Sequence, residues 1–460
     1  MSRSYLDTKS PIAALATRPG RAAVAVIRCS GAGAAELCAA CFSRPKALLE
    51  APGHSLVLGH LVDPETGKTI DQVLAAVFRA PRSYTGEDSV EIHCHGSGAV
   101  VDSILSLLGR RGFSPALPGE FTFRAFANGK TGLVEAEAVN ELSGALCEAA
   151  RKDALERLSG VLSRRLGRIR ESLVDIAAEI EARLDYPEEE GPDSESPAFG
   201  SCLEKLDSAA AELKALSSSY AAGRLRQEGI LVVLAGRPNA GKSSLFNLIV
   251  REERAIVSPE PGTTRDWLEA WVEMGGFAIR LVDTAGLREA EGEIEAQGVK
   301  KSLDLAQSAE LLLYLADGRR GLSREDLVFL DAHPRAVRIW NKTDAPDCAP
   351  APEGWIPLSA KRTESLGALE SLVASALGGS AGLGIAKEEE IRIASARQKA
   401  LVDRALASSG AARRGLEAGG SLDVVALDVR DAMDAIGEIT GEIVADEVFE
   451  RIFGSFCLGK

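Results

Sequence analysis

The sequence predicts a multidomain chain with an N-terminal α+β domain, a discontinuous helical domain, and an α/β domain with a doubly wound sheet inserted between the helical halves. Short apolar runs with Pro-Gly and Thr-Gly turns fill the first part of the chain. Ala, Leu, Glu and Arg at helical spacing dominate two separated stretches, and between them strand-like runs alternate with helical patterns. The predicted boundaries are 1–125, 126–222, 223–380 and 381–460.

The N-terminal domain is predicted from runs such as VAVI at 24–27 and VLAAVF at 73–78, which are short, rich in Val and bounded by turn residues. The helical domain is predicted from apolar side chains at 3.6-residue spacing. We expect five of them to form one stripe on a single helix: Leu155, Leu158, Leu162, Leu166 and Ile169.

The inserted α/β domain is predicted from five short apolar runs, each of which ends at a polar or glycine-rich turn. These runs are ILVVLAG, AIRLVDTAG, LLLYLAD, VRIWNKTD and GWIPLSAK. Residues after about 390 return to helix-forming composition. One helical domain split by the insertion is therefore the simplest account of the order.

Composition bounds the function. The chain length of 460 residues suggests about three domains. The composition, 45% hydrophobic and 26% charged, is typical of a globular protein with packed cores. A secretory signal and an apolar run long enough to span a membrane are both absent from the sequence, which predicts a cytoplasmic protein without membrane contact. Eight scattered cysteines predict reduced thiols. With a net charge of −14, any RNA must be held by a local basic patch, a partner or shape.

The segment GRPNAGKS at 236–243 matches G-x4-G-K-S between a predicted strand and a predicted helix. Backbone N–H groups of such a loop wrap phosphates, Lys242 meets the β and γ oxygens, and the Ser243 hydroxyl ligates Mg²⁺. A chance glycine-rich turn is the competing interpretation, and the segments that follow weigh against it.

Two further motifs supply the groups that are expected to contact the γ-phosphate and the metal ion. PGTTR at 261–265 offers Thr264 to close over the phosphate and Mg²⁺. DTAG at 283–286 ends a strand and places a carboxylate by the metal and a glycine amide by the γ-phosphate.

The last two motifs select the base. In NKTD at 341–344, Asp344 can accept both guanine N1–H and N2–H, which adenine does not offer. SAK at 359–361 resembles the loop that supports guanine O6. Five motifs in order, each at a strand end, predict a GTPase rather than an ATPase.

Leu287 follows the DTAG motif, where many G proteins have a glutamine that orients the attacking water. Either this chain is a slow switch, or another group supplies the function. Glu289, Glu291, Glu293 and Glu295 are candidates on the same segment, and a solvated acidic loop is the competing interpretation.

Several segments resemble the MnmE (TrmE) family of tRNA-modification GTPases: PGRAAVAVIR, SYTGEDSVEIHCHG, PGEFTFRAFANGK, GRPNAGKSSLFN and the terminal FCLGK. The resemblance covers essentially the whole chain. A C-x-G-K terminus combined with an inserted G domain is its most specific feature.

The resemblance implies a cytoplasmic homodimer that joins through the N-terminal domain and forms a heterotetramer with an FAD protein of the MnmG (GidA) type. Together they would install an aminomethyl or carboxymethylaminomethyl group at C5 of the wobble uridine of tRNA. It also implies a folate donor, 5-formyl- or methylene-tetrahydrofolate, in contact with Arg28, Glu91, Lys130 and Lys460. Arg and Lys can pair with the folate carboxylates.

The resemblance further implies that K⁺ stimulates pairing of two G domains. Asn239, Ser258, Glu260 and Thr263 match the potassium ligands. SPEPGTT stands here where TDIAGTT is common, so the Ser258 contact is in doubt, whereas a backbone carbonyl at Glu260 tolerates the change. Glu295 matches the glutamate that positions the attacking water, which raises it above the other acids and makes Glu295 and Asn239 the catalytic candidates.

The motifs and the resemblance together give candidate Mg²⁺ ligands, Ser243 and Thr264, and a set of candidate residues for GTP or GDP. The nucleotide set is Asn239, Ala240, Gly241, Lys242, Ser243, Ser244, Ser258, Thr263, Thr264, Asp283, Thr284, Ala285, Gly286, Asn341, Lys342, Asp344, Ser359, Ala360 and Lys361.

Other reactive side chains have simpler interpretations. His93 and His95 have spacing compatible with zinc, but other close ligands are missing from the sequence. Cys38 and Cys41 lie in helix-like sequence, which predicts core thiols. Cys457 is a candidate nucleophile near the folate-contacting tail, although an inert thiol is the favoured interpretation.

The alternative hypothesis is a ribosome-assembly or RNA-chaperone GTPase switch. Its usual mark is an appended basic RNA-binding module. Neither terminal region of the sequence has such a charge excess.

Overall fold

The structure is a computed structural model, and it describes residues 4–185, 199–252, 254–256, 268–283, 307–380, 391–443 and 445–460. The chain forms two compact units, which are described separately below. Unit 1 comprises Met1–Asn140, Arg157–Cys202 and Ala411–Lys460, and unit 2 comprises Glu141–Glu156 and Leu203–Gly410.

The strands in chain order are β1 (Ile12–Leu15), β2 (Val24–Ser30), β3 (Ser55–Val62), β4 (Thr69–Phe78), β5 (Ser89–His95), β6 (Ser114–Pro115), β7 (Ile230–Ala235), β8 (Arg254–Ile256), β9 (Leu268–Met274), β10 (Phe277–Asp283), β11 (Leu311–Asp317), β12 (Val337–Asn341) and β13 (Ile356–Pro357).

The helices are α1 (Ala34–Ala39), α2 (Pro45–Leu49), α3 (Gly98–Arg110), α4 (Glu120–Ala127), α5 (Leu133–Gly144), α6 (Glu148–Leu158), α7 (Val161–Asp185), α8 (Gly200–Glu228), α9 (Lys242–Glu252), α10 (Arg324–Ala332), α11 (Ser365–Ser380), α12 (Ala396–Glu417), α13 (Leu422–Thr440) and α14 (Asp446–Phe453).

Unit 1 contains a six-stranded sheet with the order β3-β4-β5-β2-β1-β6. Its neighbours pair antiparallel except β1 and β6, which pair parallel. Alternate side chains of β2, among them Ile27 and Cys29, are buried in one core with α1 and α3. The runs VAVI and VLAAVF lie in β2 and β4, so both strand predictions are confirmed.

The end of the chain belongs to the same unit as this sheet. An aromatic cluster joins α14 to α4, with the rings of Phe123 and Phe453 5.4 Å apart between centroids and Tyr5 beside both. Burial of such large rings is a strong source of stability. The terminal segment is therefore anchored to the N-terminal sheet region by packing.

The prediction of one apolar stripe from Leu155 to Ile169 is wrong. Gly160, with φ +77°, separates α6 from α7, so the helical period is interrupted. In α7, Leu162, Leu166 and Ile169 are buried and the stripe continues beyond them. Leu155 on α6 is 39% exposed. Regular spacing across Gly160 does not place these side chains on one face, because a left-handed residue turns the chain.

Unit 2 is built around a seven-stranded sheet with the order β13-β12-β11-β7-β10-β9-β8. Pairings from β13 through β10 are parallel, and β9 and β8 continue the sheet antiparallel. Helices α9 and α11 contribute to the core on one face, and α10 contributes to the core on the other. All five predicted strands and the mostly parallel, doubly wound arrangement are confirmed.

The sheet order places a crevice at β7. The strands that follow it in sequence lie on both of its sides, with β10 on one and β11 on the other. In open α/β sheets, ligands bind beyond the carboxyl ends of the strands at such a reversal. Within the described residues, the structure has no helix with the length and apolarity needed to cross a membrane.

Candidate functional site

The loop between β7 and α9 packs closely against residues of β11 and β12. Gly236 has φ +137° and Gly241 has φ +102°, and a Cβ on either would collide, with the Leu315 carbonyl oxygen and the Asn341 amide respectively. Only glycine meets both requirements without strain. The two glycines of the predicted phosphate loop are therefore explained by backbone conformation and close approach.

Lys242, the first residue of α9, lies folded back over this loop. Its Nζ donates to the Gly236 carbonyl oxygen at 2.8 Å and to the Arg237 carbonyl oxygen at 3.0 Å. The residue is 5% exposed. A cation held at a helix N-terminus, next to backbone N–H groups, is suited to pair with phosphate oxygens.

Ser243 and Asp283 form the second feature of the site. The Ser243 Oγ donates to the Asp283 Oδ2 at 2.7 Å, and Asp283, at the end of β10, is fully buried. Hydroxyl and carboxylate oxygens are the ligand atoms that Mg²⁺ prefers, and the ion's remaining coordination positions can take water and phosphate oxygens. The chemistry of this pair therefore fits a magnesium ion.

Asn341, at the end of β12, ties three loops together. Its Nδ2 donates to the Ala240 carbonyl oxygen at 2.8 Å, and the Ala360 N–H donates to its Oδ1 at 3.0 Å. Lys342 beside it has φ +68° and donates from Nζ to the Asn239 carbonyl oxygen at 2.6 Å. The phosphate loop, the NKTD segment and the SAK segment thus form one connected unit.

Asp344 is the acidic group of that unit. Its Oδ1 accepts a hydrogen bond from Ser359 Oγ at 2.8 Å, and the Lys361 Nζ lies 4.0 Å from its Oδ2. The hydrogen bond from Ser359 lowers the pKa of Asp344 below its usual value, so this carboxylate is ionised at neutral pH. An ionised carboxylate is a pure acceptor, oriented here by the serine.

These groups line one cavity of about 790 Å³, within the range typical of small-ligand sites. The residues that line it are Pro238, Asn239, Gly241, Lys242, Ser243, Ser244, Arg319, Asn341, Lys342, Asp344, Ala345, Ala360 and Lys361. Ten of these thirteen were predicted from the sequence. Ala240 and Ser359 connect to them by the hydrogen bonds above, and Asp283 connects through Ser243.

Among the charged residues at or next to this cavity, Asp317 and Arg319 escaped the sequence prediction. Asp317, the last residue of β11, accepts hydrogen bonds from Lys342 Nζ at 2.7 Å and from Arg319, which lines the cavity. Burial opposes ionisation of Asp317, but the bonds from Arg319 and Lys342 outweigh it and lower its pKa to about 2. The signal in the sequence was the acid that ends LLLYLAD at the same sheet edge as the other motifs.

Several predicted residues lie outside the described residues. They are Ser258, Glu260, Thr263, Thr264, Thr284, Ala285, Gly286, Leu287, Glu289, Glu291, Glu293 and Glu295. Asn239 is the one described member of the proposed potassium set. It has φ +62° and lines the cavity, and its carbonyl oxygen is already engaged by Lys342.

Replacing Lys242 by alanine should lower the rate of nucleoside triphosphate hydrolysis by about 10²–10³-fold, because a charge that stabilises the transferred phosphoryl group is lost. Steady-state phosphate release measures the effect. Lys214→Ala is the matched control, since Lys214 is exposed on α8 and does not line the cavity. A Lys242→Ala protein as active as the control would contradict the assigned role.

A second polar site lies in unit 1, where β2 and β5 pair Arg28 opposite Glu91. The Arg28 Nε donates to Glu91 Oε1 at 2.8 Å, and its Nη1 donates to the Gly459 carbonyl oxygen at 3.3 Å. The Phe121 N–H donates to the Lys460 carbonyl oxygen at 3.1 Å. The structure thus brings three of the four predicted folate residues, Arg28, Glu91 and Lys460, to one place.

Lys130, the fourth, contacts a neighbouring loop, where its Nζ donates to the Pro81 carbonyl oxygen at 3.0 Å. Burial lowers the pKa of Lys460, and the nearby charge of Arg28 lowers it further, while Cys457 acts in the opposite direction. Because the cations of Arg28 and Lys460 lie close enough for their charges to interact, they favour an anionic ligand. The donor set therefore fits a ligand that carries carboxylates.

The other reactive side chains follow the simpler interpretations. Cys38 and Cys41 are buried, and the pKa of Cys41 is raised to about 12 chiefly by burial, so both are core thiols as predicted. His95 Nδ1 lies 2.7 Å from Asp71 Oδ1. In the described part of the chain, His, Cys, Asp and Glu form no cluster of three or more suited to a metal ion. Cys457 is exposed.

A doubly wound sheet with a glycine-bounded phosphate loop, a buried Ser–Asp pair and an oriented acidic acceptor defines the class of P-loop nucleotide-binding proteins. A family model described as the MnmE helical domain matches residues 133–457, and one described as the GTP-binding protein TrmE N-terminus matches residues 11–130.

Curated relatives match almost end to end. The "tRNA modification GTPase MnmE" of Treponema denticola is 40% identical, with 98% of each chain covered. A protein of the same name from Thermus thermophilus is 41% identical and covers 99% of this chain and 100% of its own. The chain therefore belongs to the MnmE family. A solved structure of an Aquifex aeolicus Era variant bound to GDP.AlF4- has 22% identity, covers 39% of this chain and 66% of its own, and has a TM-score of 0.26, too low to support a conclusion.

Proposed function

We propose that the chain is a Mg²⁺- and K⁺-dependent GTPase that acts in tRNA modification. It would hydrolyse GTP as part of the reaction that installs an aminomethyl or carboxymethylaminomethyl group at C5 of the wobble uridine. Membership of the MnmE family supports the tRNA substrate, because the curated relatives carry the name tRNA modification GTPase. The site in unit 2 supports the nucleotide chemistry.

The observation that carries this proposal is the orientation of Asp344. Ser359 holds its carboxylate, and Asn341 fixes the segment to the phosphate loop, so base recognition and phosphate binding share one rigid frame. Guanine presents two adjacent donors to such an acceptor, whereas adenine presents an acceptor at the same position. The expected preference is therefore for GTP over ATP.

The phosphate end of the cavity would act through Lys242 and Ser243. When bound, Mg²⁺ neutralises charge on the phosphates. The Ser243 hydroxyl would hold the ion, and Asp283 would fix that hydroxyl by the hydrogen bond it accepts. Lys242 would exchange its two carbonyl partners for phosphate oxygens. Thr264 is proposed as the second protein ligand, and Glu295 as the residue that positions the attacking water.

Potassium is proposed at Asn239, Ser258, Glu260 and Thr263, with pairing of two G domains in a homodimer. Turnover of GTP in KCl should then exceed turnover in NaCl at equal ionic strength by on the order of tenfold or more. Asn239→Ala should remove most of the difference while retaining the NaCl rate. Equal rates of the unaltered protein in both salts would remove the potassium assignment.

The N-terminal segment 1–125 is proposed as the folate-binding and dimerisation domain, with 126–222 and 381–460 as the helical halves around the G domain at 223–380. Arg28, Glu91, Lys130 and Lys460 would bind 5-formyl- or methylene-tetrahydrofolate. A cytoplasmic complex with an FAD protein of the MnmG type completes the proposal. The neighbourhood of Arg28 and Lys460 supports the anionic ligand.

The tRNA role is tested by mass analysis of nucleosides in bulk tRNA from cells that lack the gene. We expect loss of the C5-modified wobble uridines and their return when the gene is restored. Unchanged wobble uridines together with a ribosome-subunit defect would instead favour the ribosome-assembly switch.

A further inference from the structure

Arg319 lines the cavity of unit 2, and the function proposed above gives it no contact with the ligand. Three hydrogen bonds hold it to Asp317, the last residue of β11. The Arg319 backbone N–H and Nε donate to the Asp317 Oδ1 at 3.1 and 3.3 Å, and Nη2 donates to Oδ2 at 3.3 Å. Such a two-pronged pairing fixes the plane of the guanidinium. In the described part of the chain, the remaining nitrogen, Nη1, makes no hydrogen bond.

The backbone that carries Arg319 is fixed as well. The Gly318 N–H donates to the Asn341 carbonyl oxygen at 2.9 Å. A Cβ on Gly318 would collide with the side chains of Cys348 and Trp340, so the close approach of this turn requires glycine. The turn after β11 is therefore tied to the segment that carries the proposed base-recognition residues, which reduces the cost of ordering Arg319 when a ligand binds.

Asp317 accepts hydrogen bonds from two cations. Its Oδ2 also accepts from the Lys342 Nζ at 2.7 Å, and its side chain is 5% exposed, against 38% for Arg319. We call these three residues the β11 cluster. Because one carboxylate compensates only one of two positive charges, the cluster carries surplus positive charge at the cavity. Lys342 alone would neutralise Asp317, so neutralisation does not account for Arg319. Surplus positive charge favours an anionic group of a ligand.

The β11 cluster lies between the two ends of the cavity. On the phosphate side, the Lys342 Nζ donates to the Asn239 carbonyl oxygen in the phosphate loop at 2.6 Å. On the base side, hydrogen bonds to the carboxylate of the cluster raise the pKa of Arg319, and the charge of Asp344 raises it further. A nucleotide with its base at Asp344 and its terminal phosphates at Lys242 would place its ribose and α-phosphate next to this cluster.

Charge selects the α-phosphate from the groups at this position. The ribose is neutral, whereas a phosphate oxygen is an anionic acceptor. The β- and γ-phosphates would lie with Lys242 and the N–H groups of the phosphate loop, which leaves the α-phosphate as the anion nearest to the ribose. A guanidinium that is oriented by a carboxylate and retains an unbonded N–H matches this group.

We propose that Arg319 is a nucleotide-binding residue that contacts the α-phosphate through Nη1, and that Asp317 is a positioning residue that acts through Arg319. This inference rests on the proposed GTP site and adds a ligand contact to it. GTP, GDP and GMP share the α-phosphate, so the contact adds affinity for each of them and contributes little to the chemical step. In this respect Arg319 differs from Lys242, whose charge acts on the transferred group.

The first test combines steady-state GTP hydrolysis with GDP binding by the full chain. Arg319→Ala should raise KM for GTP and Kd for GDP by about tenfold, because one charge-assisted hydrogen bond is lost, while kcat stays within about threefold. Arg320→Ala is the matched control, since Arg320 is the next residue, is exposed and does not line this cavity. It should keep the values of the unaltered protein. A tenfold loss of kcat at unchanged KM and Kd would overturn the α-phosphate assignment.

The second test separates the α-phosphate from the nucleoside. Competition of guanosine and of GMP against a fluorescent GDP analogue gives two Kd values, and their ratio measures the contribution of the α-phosphate. The ratio should fall by about tenfold in Arg319→Ala at unchanged guanosine affinity, and Arg319→Lys should retain part of it because the charge remains. Equal weakening of guanosine and GMP would overturn the proposal, since a merely structural role acts on both. Unfolding midpoints by circular dichroism verify that the variants are folded.

A double-mutant cycle on the same ratio tests the role of Asp317. Asp317→Asn should lower the ratio in the unaltered background and leave it unchanged in the Arg319→Ala background, because Asp317 acts through Arg319. Equal losses in both backgrounds would overturn the positioning role. Equal GDP affinity of Arg319→Ala and the unaltered protein would overturn the Arg319 assignment and leave the GTP site standing. Failure of the unaltered protein to bind GDP would overturn the GTP site itself.

Discussion

Asp344→Asn should change the nucleotide that the chain uses, from GTP to xanthosine triphosphate. The asparagine oxygen still accepts from the ring N1–H, but its amide donates where the carboxylate accepted the guanine amino group. Xanthine carries a carbonyl oxygen at that position and therefore regains the second bond. Two charge-assisted bonds are altered, so GTP affinity should fall by about 10²–10⁴-fold.

Competition binding of GTP, ATP and xanthosine triphosphate to the variant measures this change. Ser359→Ala is the matched control, because it removes the bond that orients Asp344 at 2.8 Å while leaving the carboxylate in place. It should weaken GTP by about 1 kcal/mol without a change of preference. An Asp344→Asn protein that retains GTP affinity would show that the base lies elsewhere in the cavity.

Arg124→Met should destabilise unit 1 by about 3–5 kcal/mol. Arg124 is fully buried, Glu120 beside it is 1% exposed, and the Glu87 side chain is 18% exposed. Methionine has similar length and fills the space, but both carboxylates then lose the cation that compensates them. A buried pair that loses one partner is strongly unfavourable, because the remaining charge stays out of water.

The tryptophans supply an internal control for this measurement. All four, Trp267, Trp271, Trp340 and Trp355, lie in the sequence of unit 2. In Arg124→Met, the unfolding transition followed by circular dichroism should move to a lower denaturant concentration. The transition followed by tryptophan fluorescence should keep its midpoint. Arg110→Met is the matched variant, because Arg110 is 45% exposed and its pair with Asp63 is worth about 1 kcal/mol or less. Similar shifts in the two variants would contradict the buried-cluster account.

The G-domain features could be predicted from the sequence because their chemistry is local. Each motif follows an apolar strand, and parallel strands end at one edge of a sheet, so strand order alone gathers the side chains. Lys242, Ser243, Asn341 and Asp344 do lie together around one cavity. Asp317 follows the same rule, and it was overlooked because a single acid after a strand has no motif around it.

Features that depend on tertiary packing were less accessible. Regular spacing of leucines suggested one helix through Leu155 and Ile169, but a single left-handed glycine at 160 breaks it, and spacing does not encode that turn. The docking of the terminal segment beside Arg28 depends on contacts between residues more than 400 positions apart, such as Arg28 with Gly459. No local pattern predicts such a pairing, and the family resemblance alone suggested it.

The central claim is that the cavity of unit 2 is a site for GTP hydrolysis. Its most direct test is phosphate release by the purified full chain with Mg²⁺ in KCl, with GTP or ATP as substrate and Lys242→Ala beside the unaltered protein. The account predicts that GTP is hydrolysed at least about 10³-fold more efficiently than ATP, and that Lys242→Ala loses this activity. Comparable hydrolysis of ATP and GTP, or unaltered GTP turnover in Lys242→Ala, would contradict it.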